Sequence, residues 1–519
     1  MKHLTSRVRS AAVVCGLVWI IVAADARADV RLPALISDHM VLQQGMAVAI
    51  WGSADAGENI TVKFRGQQVS AVAGADGRWR VFLEPMEAGG PFEMTVSGRN
   101  AITLKNVMVG EVWICSGQSN MEWPVSRAMN SEQEIAQAGN PQVRFFTVKR
   151  AVSDRPLDDA GGNWEPSSAE SVKEFSAVGY FFGREIQRVL KAPVGLIDSS
   201  WGGTPAESWT SDPALRADSF LDPILWQWRR TLAEYPTAKQ RYERQLKEWE
   251  EQSARAKAEG RPAPQRPAAP QGPGHSWTPS GLYNAMIAPL TPFPIRGAIW
   301  YQGESNARPY RAFEYRRLFQ AMIEDWRRAW DQPFPFLFVQ LANFMERKPE
   351  PEDSSWAELR ESQARALGLP NTAMAVAIDI GEAGDIHPKN KQEVGRRLSL
   401  AARAVAYGEE LVHSGPLYEG MKLEGKQIRI RLRHTGRGLE ARGGKLEGFA
   451  IAGKDRRFVW ADARIEGNTV VVSSNQIIGP VAVRYAWADN PACNLYNKEG
   501  LPASPFRTDD WPETDTGNH

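Results

Sequence analysis

Between residues 107 and 410 the chain repeats one arrangement: a short run of large apolar residues, a polar turn, then an amphipathic stretch. The runs are "VMVGEVWIC", "VGLIDSS", "GAIWYQ", "FPFLFVQLA" and "AMAVAIDI". Between and after them lie helical patterns such as "VGYFFGREIQRVLK", "YRAFEYRRLFQAMIEDWRRAW", "WAELRESQARAL" and "NKQEVGRRLSLAARAVAY". Uninterrupted apolar runs are strands buried on both faces, and strands that alternate with helices pair in parallel, because a parallel pair needs a long crossover. The pattern predicts an α/β, flavodoxin-like doubly wound domain with a parallel sheet.

The flanks read differently. From 29 to 106 short runs such as "AVAIWG", "NITVKF" and "RWRVFL" alternate apolar and polar residues between turns, predicting a small antiparallel β-domain of sandwich type. From 411 to 512 the same texture returns, predicting a second β-domain, with 513–519 as a polar tail. Inside the central domain, 212–280 is an excursion: a long charged helical stretch, then the proline-rich "RPAPQRPAAPQGPG", which cannot continue the helix. It reads as a solvated spacer or as a lid.

Residues 1–28 have the layout of a cleaved signal peptide: Lys2, Arg7 and Arg9, the apolar run Ala11–Ala24, and small residues at Ala26 and Ala28. Export to a periplasmic or extracellular compartment follows as an expectation, with no membrane span once the segment is removed. That segment takes four of the 62 Lys and Arg and one of the 61 Asp and Glu, leaving a near-neutral protein. Nothing in that balance suggests a nucleic-acid partner. Of three cysteines, Cys15 lies in the signal; Cys115 and Cys493 could pair, but two buried thiols is the simpler reading. The oligomeric state is not legible.

In an open parallel sheet, ligands bind at the carboxyl ends of the strands. Those ends carry Ser116-Gly117-Gln118-Ser119-Asn120, Trp201-Gly202-Gly203-Thr204, Gly303-Glu304-Ser305-Asn306 and Gly384-Asp385-Ile386-His387. A hydroxyl, a glycine pair, two acids and a histidine are the set that acyl transfer to water requires. Among seven histidines His387 alone follows a predicted sheet strand, so it is the expected base. Ser119 is the expected nucleophile, although a serine after glycine is also ordinary turn chemistry and Ser116 stands close by. The chain has no paired-cysteine metal motif, no H-E-x-x-H and no phosphate loop, so no metal and no cofactor are expected.

The blocks "VWICSGQSNMEWP", "GLIDSSWGGTPAESW", "AIWYQGESNA" and "DIHPKNKQEVGRRL" resemble those of the sialate O-acetylesterase family, carbohydrate acetyl-esterases of the SGNH hydrolase superfamily. The resemblance extends to both flanking domains. It implies Ser119 as nucleophile, His387 as base and Gly203, or Gly202, as a backbone oxyanion donor. The superfamily's asparagine donor is replaced here by Ser305, which leaves Gln302 first and Asn306 second as side-chain donors. Asp385 stands two residues before the histidine rather than three, so Asp385 is favoured as the orienting acid with Glu304 as the alternative. Asn120 and Asn284 are candidate sugar contacts. Trp123 is a third candidate that reads more readily as packing, because most of the 19 tryptophans must be core residues. The implied substrate is an acetylated carbohydrate: a sialate, or a plant polysaccharide such as xylan, xyloglucan or pectin. A glycan-binding protein without activity is the rival of another class.

Overall fold

The computed structural model describes residues 29–511; the expected signal segment and tail lie outside the described residues. The fold is organised by one strand, β1 (Ala101–Gly117), which is 17 residues long. Its first part is alternately exposed and buried and pairs antiparallel with Gly89–Ser97. From Val107 onward every residue is buried, and the strand becomes the middle of a second, parallel arrangement. The change from "AITLKN" to "VMVGEVWIC" is thus a change from one covered face to two. β1 therefore runs straight through the expected boundary at 106/107.

The parallel strands are β1, β2 (Val143–Thr147), β4 (Val194–Ser200), β5 (Gly297–Tyr301), β6 (Phe336–Gln340) and β7 (Thr372–Val376); β3 (Trp164–Pro166) adds an antiparallel edge to β2. Their order across the sheet is β7-β6-β5-β1-β4-β2-β3. The chain first fills one side of β1, placing β2 and β3 outward and then β4 between β1 and β2, and afterwards builds outward on the other side through β5, β6 and β7; the crossing over β1 puts the switch in direction at its carboxyl end. The five predicted strands are all present; β2, "VRFFT", is an additional one.

Side chains from the sheet divide between two helical layers. Trp113 on β1 meets Phe182 of α2 (Ala177–Leu190), with ring centroids 5.0 Å apart. Trp300 on β5 meets Phe319 and Trp326 of α4 (Arg311–Ala329). Since Trp113 is in register with Gly297, three residues before Trp300, the two indoles point to opposite faces of the sheet. On the Trp113 side α2 packs on α6 (Lys391–Val405), where Gly395 lies against the Phe181 backbone so closely that a Cβ would meet it at 2.9 Å. Helix α5 (Ser355–Arg365) packs on α4.

The amino-terminal strands Asn59–Phe64, Gln67–Val72 and Gly89–Ser97 join the first part of β1, and Val48–Ser53 with Arg78–Leu83 forms a second sheet. One pairing departs from the antiparallel expectation: Val41–Gln43 runs parallel to β1. This domain shares a continuous core with the central one, whereas the carboxyl-terminal β-domain packs its two four-stranded sheets around a core of its own. Within the excursion α3 (Asp222–Ala258) is a 37-residue helix that accommodates Pro236, and the proline-rich stretch begins after it. Cys115 and Cys493 are both free thiols.

Candidate active site

β1 ends at Gly117, whose φ of +139° and crowding leave room for glycine alone: a Cβ would lie 2.1 Å from the Tyr301 carbonyl oxygen of β5. The next N–H, of Gln118, donates to that same oxygen at 3.0 Å, and Ser119 then opens the single turn α1 (Ser119–Glu122). A helix's first N–H groups have no intrahelical acceptor, so the Ser119 N–H is available beside its own hydroxyl. Ser116 is settled by burial: it is inaccessible and donates its hydroxyl to the Ser199 carbonyl at 2.6 Å.

His387 arrives on the loop after β7. Its Nε2 lies 2.9 Å from Ser119 Oγ, and its Nδ1 lies 3.3 Å from Asp385 Oδ1. The two-residue offset works because Asp385 Oδ1 also accepts the backbone N–H of His387 at 2.9 Å, which folds the loop back on itself. That backbone bond is the main reason the Asp385 carboxyl is held below its usual range. The His387 ring stacks on Trp123 with centroids 4.6 Å apart, so Trp123 fixes the imidazole plane. Burial, then the charge of Lys391, holds the His387 pKa below its ordinary value against the pull of Asp385. The imidazole is therefore neutral near pH 7, the state a base requires.

Glu304 does not reach His387; its Oε1 accepts from Asn120 Nδ2 at 2.5 Å. Its other oxygen is buried with no partner among the described residues, and burial raises its pKa. Asn120 in turn gives its second amide hydrogen to the Ile386 carbonyl at 3.0 Å, while its Oδ1 accepts from Lys391 Nζ. Lys391 is fully buried, lies against the Tyr301 and Trp123 rings, and is pushed down to about 7, chiefly by burial. This corrects the reading of Asn120 as a sugar contact. Both of its amide hydrogens and its oxygen are committed, to Glu304, to the histidine loop at Ile386 and to Lys391.

The loop after β4 lies against the candidate nucleophile: a Cβ on Gly202 would sit 3.2 Å from the Cβ of Ser119. Glu122, paired with Arg150, accepts the Gly202 N–H. The Trp201 N–H donates to Gly117 O at 3.1 Å, and Thr204 Oγ1 to Trp201 O at 2.7 Å. The exposed Gly203, at φ +73°, keeps an N–H with no partner among the described residues. Of the two glycines, Gly203 is therefore the available donor.

The side-chain donors expected at the oxyanion do other work. Gln302 is inaccessible and spends both amide hydrogens, on Thr204 O at 3.2 Å and Asn306 Oδ1 at 2.7 Å. Asn306 is also buried; its oxygen takes the Ala206 N–H at 3.0 Å and its amide bonds Glu207, which pairs with Arg311. Both brace the Gly203 loop from beneath instead of facing a substrate. Asn284, expected as a sugar contact, lies in a π-helical turn, is buried and donates to Ser153 O at 3.0 Å, so this amide bond ties the fold together. Lys391 and Glu122 were not singled out in the sequence. A lysine is rarely buried, and no pattern in "HPKNK" marks Lys391 as internal, nor does "NMEWP" show that Glu122 meets the Gly202 loop. Among the described residues there is no cluster able to hold a metal ion, and no helix is long and apolar enough to cross a membrane.

Comparison with known proteins bears on the whole arrangement. The family description "carbohydrate esterase, sialic acid-specific acetylesterase" matches residues 268–404. The sialate O-acetylesterase of Mus musculus is 34% identical, over 95% of this chain and 97% of that protein. That of Homo sapiens is 33% identical, over 95% and 96%. The crystal structure of a carbohydrate acetylesterase from Xanthomonas citri superposes with a TM-score of 0.80 at 39% identity, covering 93% of this chain and all of that one. With this similarity along nearly its full length, the chain belongs to the sialate O-acetylesterase family and is a carboxylic ester hydrolase.

Proposed function

We propose that the enzyme is an exported serine esterase that removes O-acetyl groups from carbohydrates, with O-acetylated sialic acids as its first candidate substrate. The observation that carries the mechanism is the unbroken line Ser119 Oγ–His387 Nε2/Nδ1–Asp385 beside one free Gly203 N–H. Ser119 Oγ attacks the acetyl carbonyl carbon while His387 Nε2 takes the hydroxyl proton. The oxyanion accepts hydrogen bonds from the Gly203 and Ser119 N–H groups. Collapse expels the sugar oxygen, which leaves with the proton from His387; water, deprotonated by the same nitrogen, then releases acetate from Ser119. Asp385 holds the Nδ1–H and balances the transient imidazolium. No step calls for a metal or cofactor.

The sialate assignment is supported by the names of the relatives and by two exposed guanidiniums, Arg127 over Trp123 and Arg308 over Trp277, neither in an ion pair among the described residues. Acetate release should be measured on O-acetyl sialic acids, acetylated xylan, xyloglucan and pectin, with Ser119→Ala as control. Normal release by a folded Ser119→Ala variant would overturn the mechanism, and faster turnover of a neutral polymer would overturn the sialate assignment. If wild type shows no serine-dependent turnover of 4-nitrophenyl acetate, a purely glycan-binding role takes over. Export rests on the basic residues, apolar run and small-residue site of 1–28, and a mature amino terminus at Asp29 is the expected result of protein sequencing.

A further inference from the structure

Trp277, at the end of the 212–280 excursion, donates its indole N–H to the Gly203 carbonyl at 2.7 Å. This is the residue whose own N–H is the free oxyanion donor. Around it, the Trp201 and Gly202 N–H groups and the Thr204 carbonyl are all bonded to fixed groups. The carbonyl of Gly203 is held from outside the sheet, by Trp277. Glycine at φ +73° with open space around it is the most permissive point of this loop, so a tether there restricts the motion that matters.

The excursion is built to deliver that indole. After α3 the chain doubles back along the helix: Trp249 Nε1 donates to the Pro264 carbonyl at 2.8 Å, and Arg266 lies over the Trp249 ring. Gly272 presses on Tyr235 so closely that a Cβ would sit 2.2 Å from the ring. Prolines in the returning segment limit its freedom. A turn then follows, with the His275 carbonyl accepting from the Thr278 N–H at 2.9 Å. On the far side Arg308, from the loop after β5, lies over the Trp277 indole with its guanidinium carbon 5.3 Å from the ring centre.

We infer that Trp277 is a positioning residue for the oxyanion donor, and that the excursion is a brace which aligns the Gly203 N–H and is neither a free spacer nor a lid. This inference rests on the serine-esterase reading above. Trp277→Phe keeps the ring and loses the N–H. It should lower kcat about tenfold on 4-nitrophenyl acetate and on the acetylated glycan alike, with KM changed less than twofold. That is the scale of one hydrogen bond and below the 10²–10³-fold of a lost oxyanion donor. Trp277→Ala should lower kcat at least as much, and Trp249→Ala, distant from the site, should lower it about twofold. Circular dichroism and melting of each variant report that the fold is kept. Unchanged kcat in folded Trp277→Phe overturns the inference. So does a KM increase confined to the glycan, which would make Trp277 a sugar platform. Normal Trp249→Ala beside impaired Trp277→Phe overturns the role of the excursion. Failure of the esterase reading looks different: wild type itself would show no turnover that depends on Ser119.

Discussion

Asp385→Asn tests the assignment of the orienting acid, because the two candidate carboxylates occupy opposite environments. Asp385 is 39% exposed at its side chain and bonds His387 Nδ1 at 3.3 Å, while Glu304 is half-buried, with one carboxylate oxygen enclosed, and bonds only Asn120 among the described side chains. In a serine-protease triad with a buried aspartate, the same change costs about 10⁴ in kcat by presenting an amide N–H to the wrong nitrogen. Here water reaches Asp385 and screens part of the imidazolium charge it would balance, so the loss should be smaller, about 10²–10³-fold. At about 1.4 kcal/mol per decade that is roughly 3–4 kcal/mol of transition-state stabilisation. Glu304→Gln keeps an oxygen for the Asn120 amide and should cost less than about tenfold. The pH profile adds a sign. Asp385 raises the His387 pKa, so its neutralisation lets the base stay unprotonated further into acid, and the acidic limb of kcat/KM should move to lower pH. Stopped assays of acetate release across about pH 4–8 measure both quantities. A larger loss for Glu304→Gln than for Asp385→Asn, or an acidic limb that stays put or moves up in Asp385→Asn, would refute the assignment.

Lys391→Met should displace the acidic limb in the opposite direction, since the Lys391 charge lowers the His387 pKa; the same pH profile checks it, and no upward move would count against the action of that charge on His387. Gly202→Ala puts a Cβ 2.9 Å from Glu122 Oε2 and 3.2 Å from the Ser119 Cβ, so kcat should fall about 10–100-fold with little change in melting. Asp198, at the end of β4, is raised by burial from 3.8 to about 7, so its ionisation costs stability as pH climbs through that window. Asp198→Asn should match wild type near pH 4 and be the more stable by about 1–4 kcal/mol at pH 8, read by urea unfolding at each pH.

Much of this candidate site was legible because its proposed reacting groups sit where the sheet's topology must deliver them. Apolar runs and the residues just beyond them pointed to Ser119, the Gly202-Gly203 pair and His387 without side-chain geometry, and the resemblance put Gly203 first of the pair. β2 escaped notice because "VRFFT" is short and carries Arg144 inside it, and short apolar runs do not distinguish strand from buried helix. Gln302, Asn306 and Asn120 were misassigned for a chemical reason. An amide has the same donors whether it faces a substrate or a backbone carbonyl, and only the committed partners separate the two uses. Asp385 and Glu304 were distinguishable only through loop geometry, namely the bond from the His387 N–H to Asp385.

The flanking domains enter the chemistry through the same loops. The amino-terminal sheet and the turn that carries Ser119 both extend from β1, so the strand that closes one domain aims the candidate nucleophile in the next. At the carboxyl end, Asn490 accepts from Asn343 Nδ2 at 2.8 Å, and Asn343 Oδ1 takes the Gly381 N–H at 2.7 Å, where the loop that carries Asp385 and His387 begins. The fit there is close: a Cβ on Gly381 would stand 1.9 Å from the Asn343 carbonyl oxygen. Arg360, fully buried on α5, spans the joint by donating to Leu341 and Ala342 on one side and to Ala488 and Asp489 on the other. Leaving such a cation buried without acceptors costs several kcal/mol, so the two domains cannot separate there cheaply. The histidine loop is thereby tied to the carboxyl-terminal domain and the serine to the amino-terminal one. Alignment of Ser119 with His387 is for that reason a property of the whole assembled chain and not of the central sheet alone.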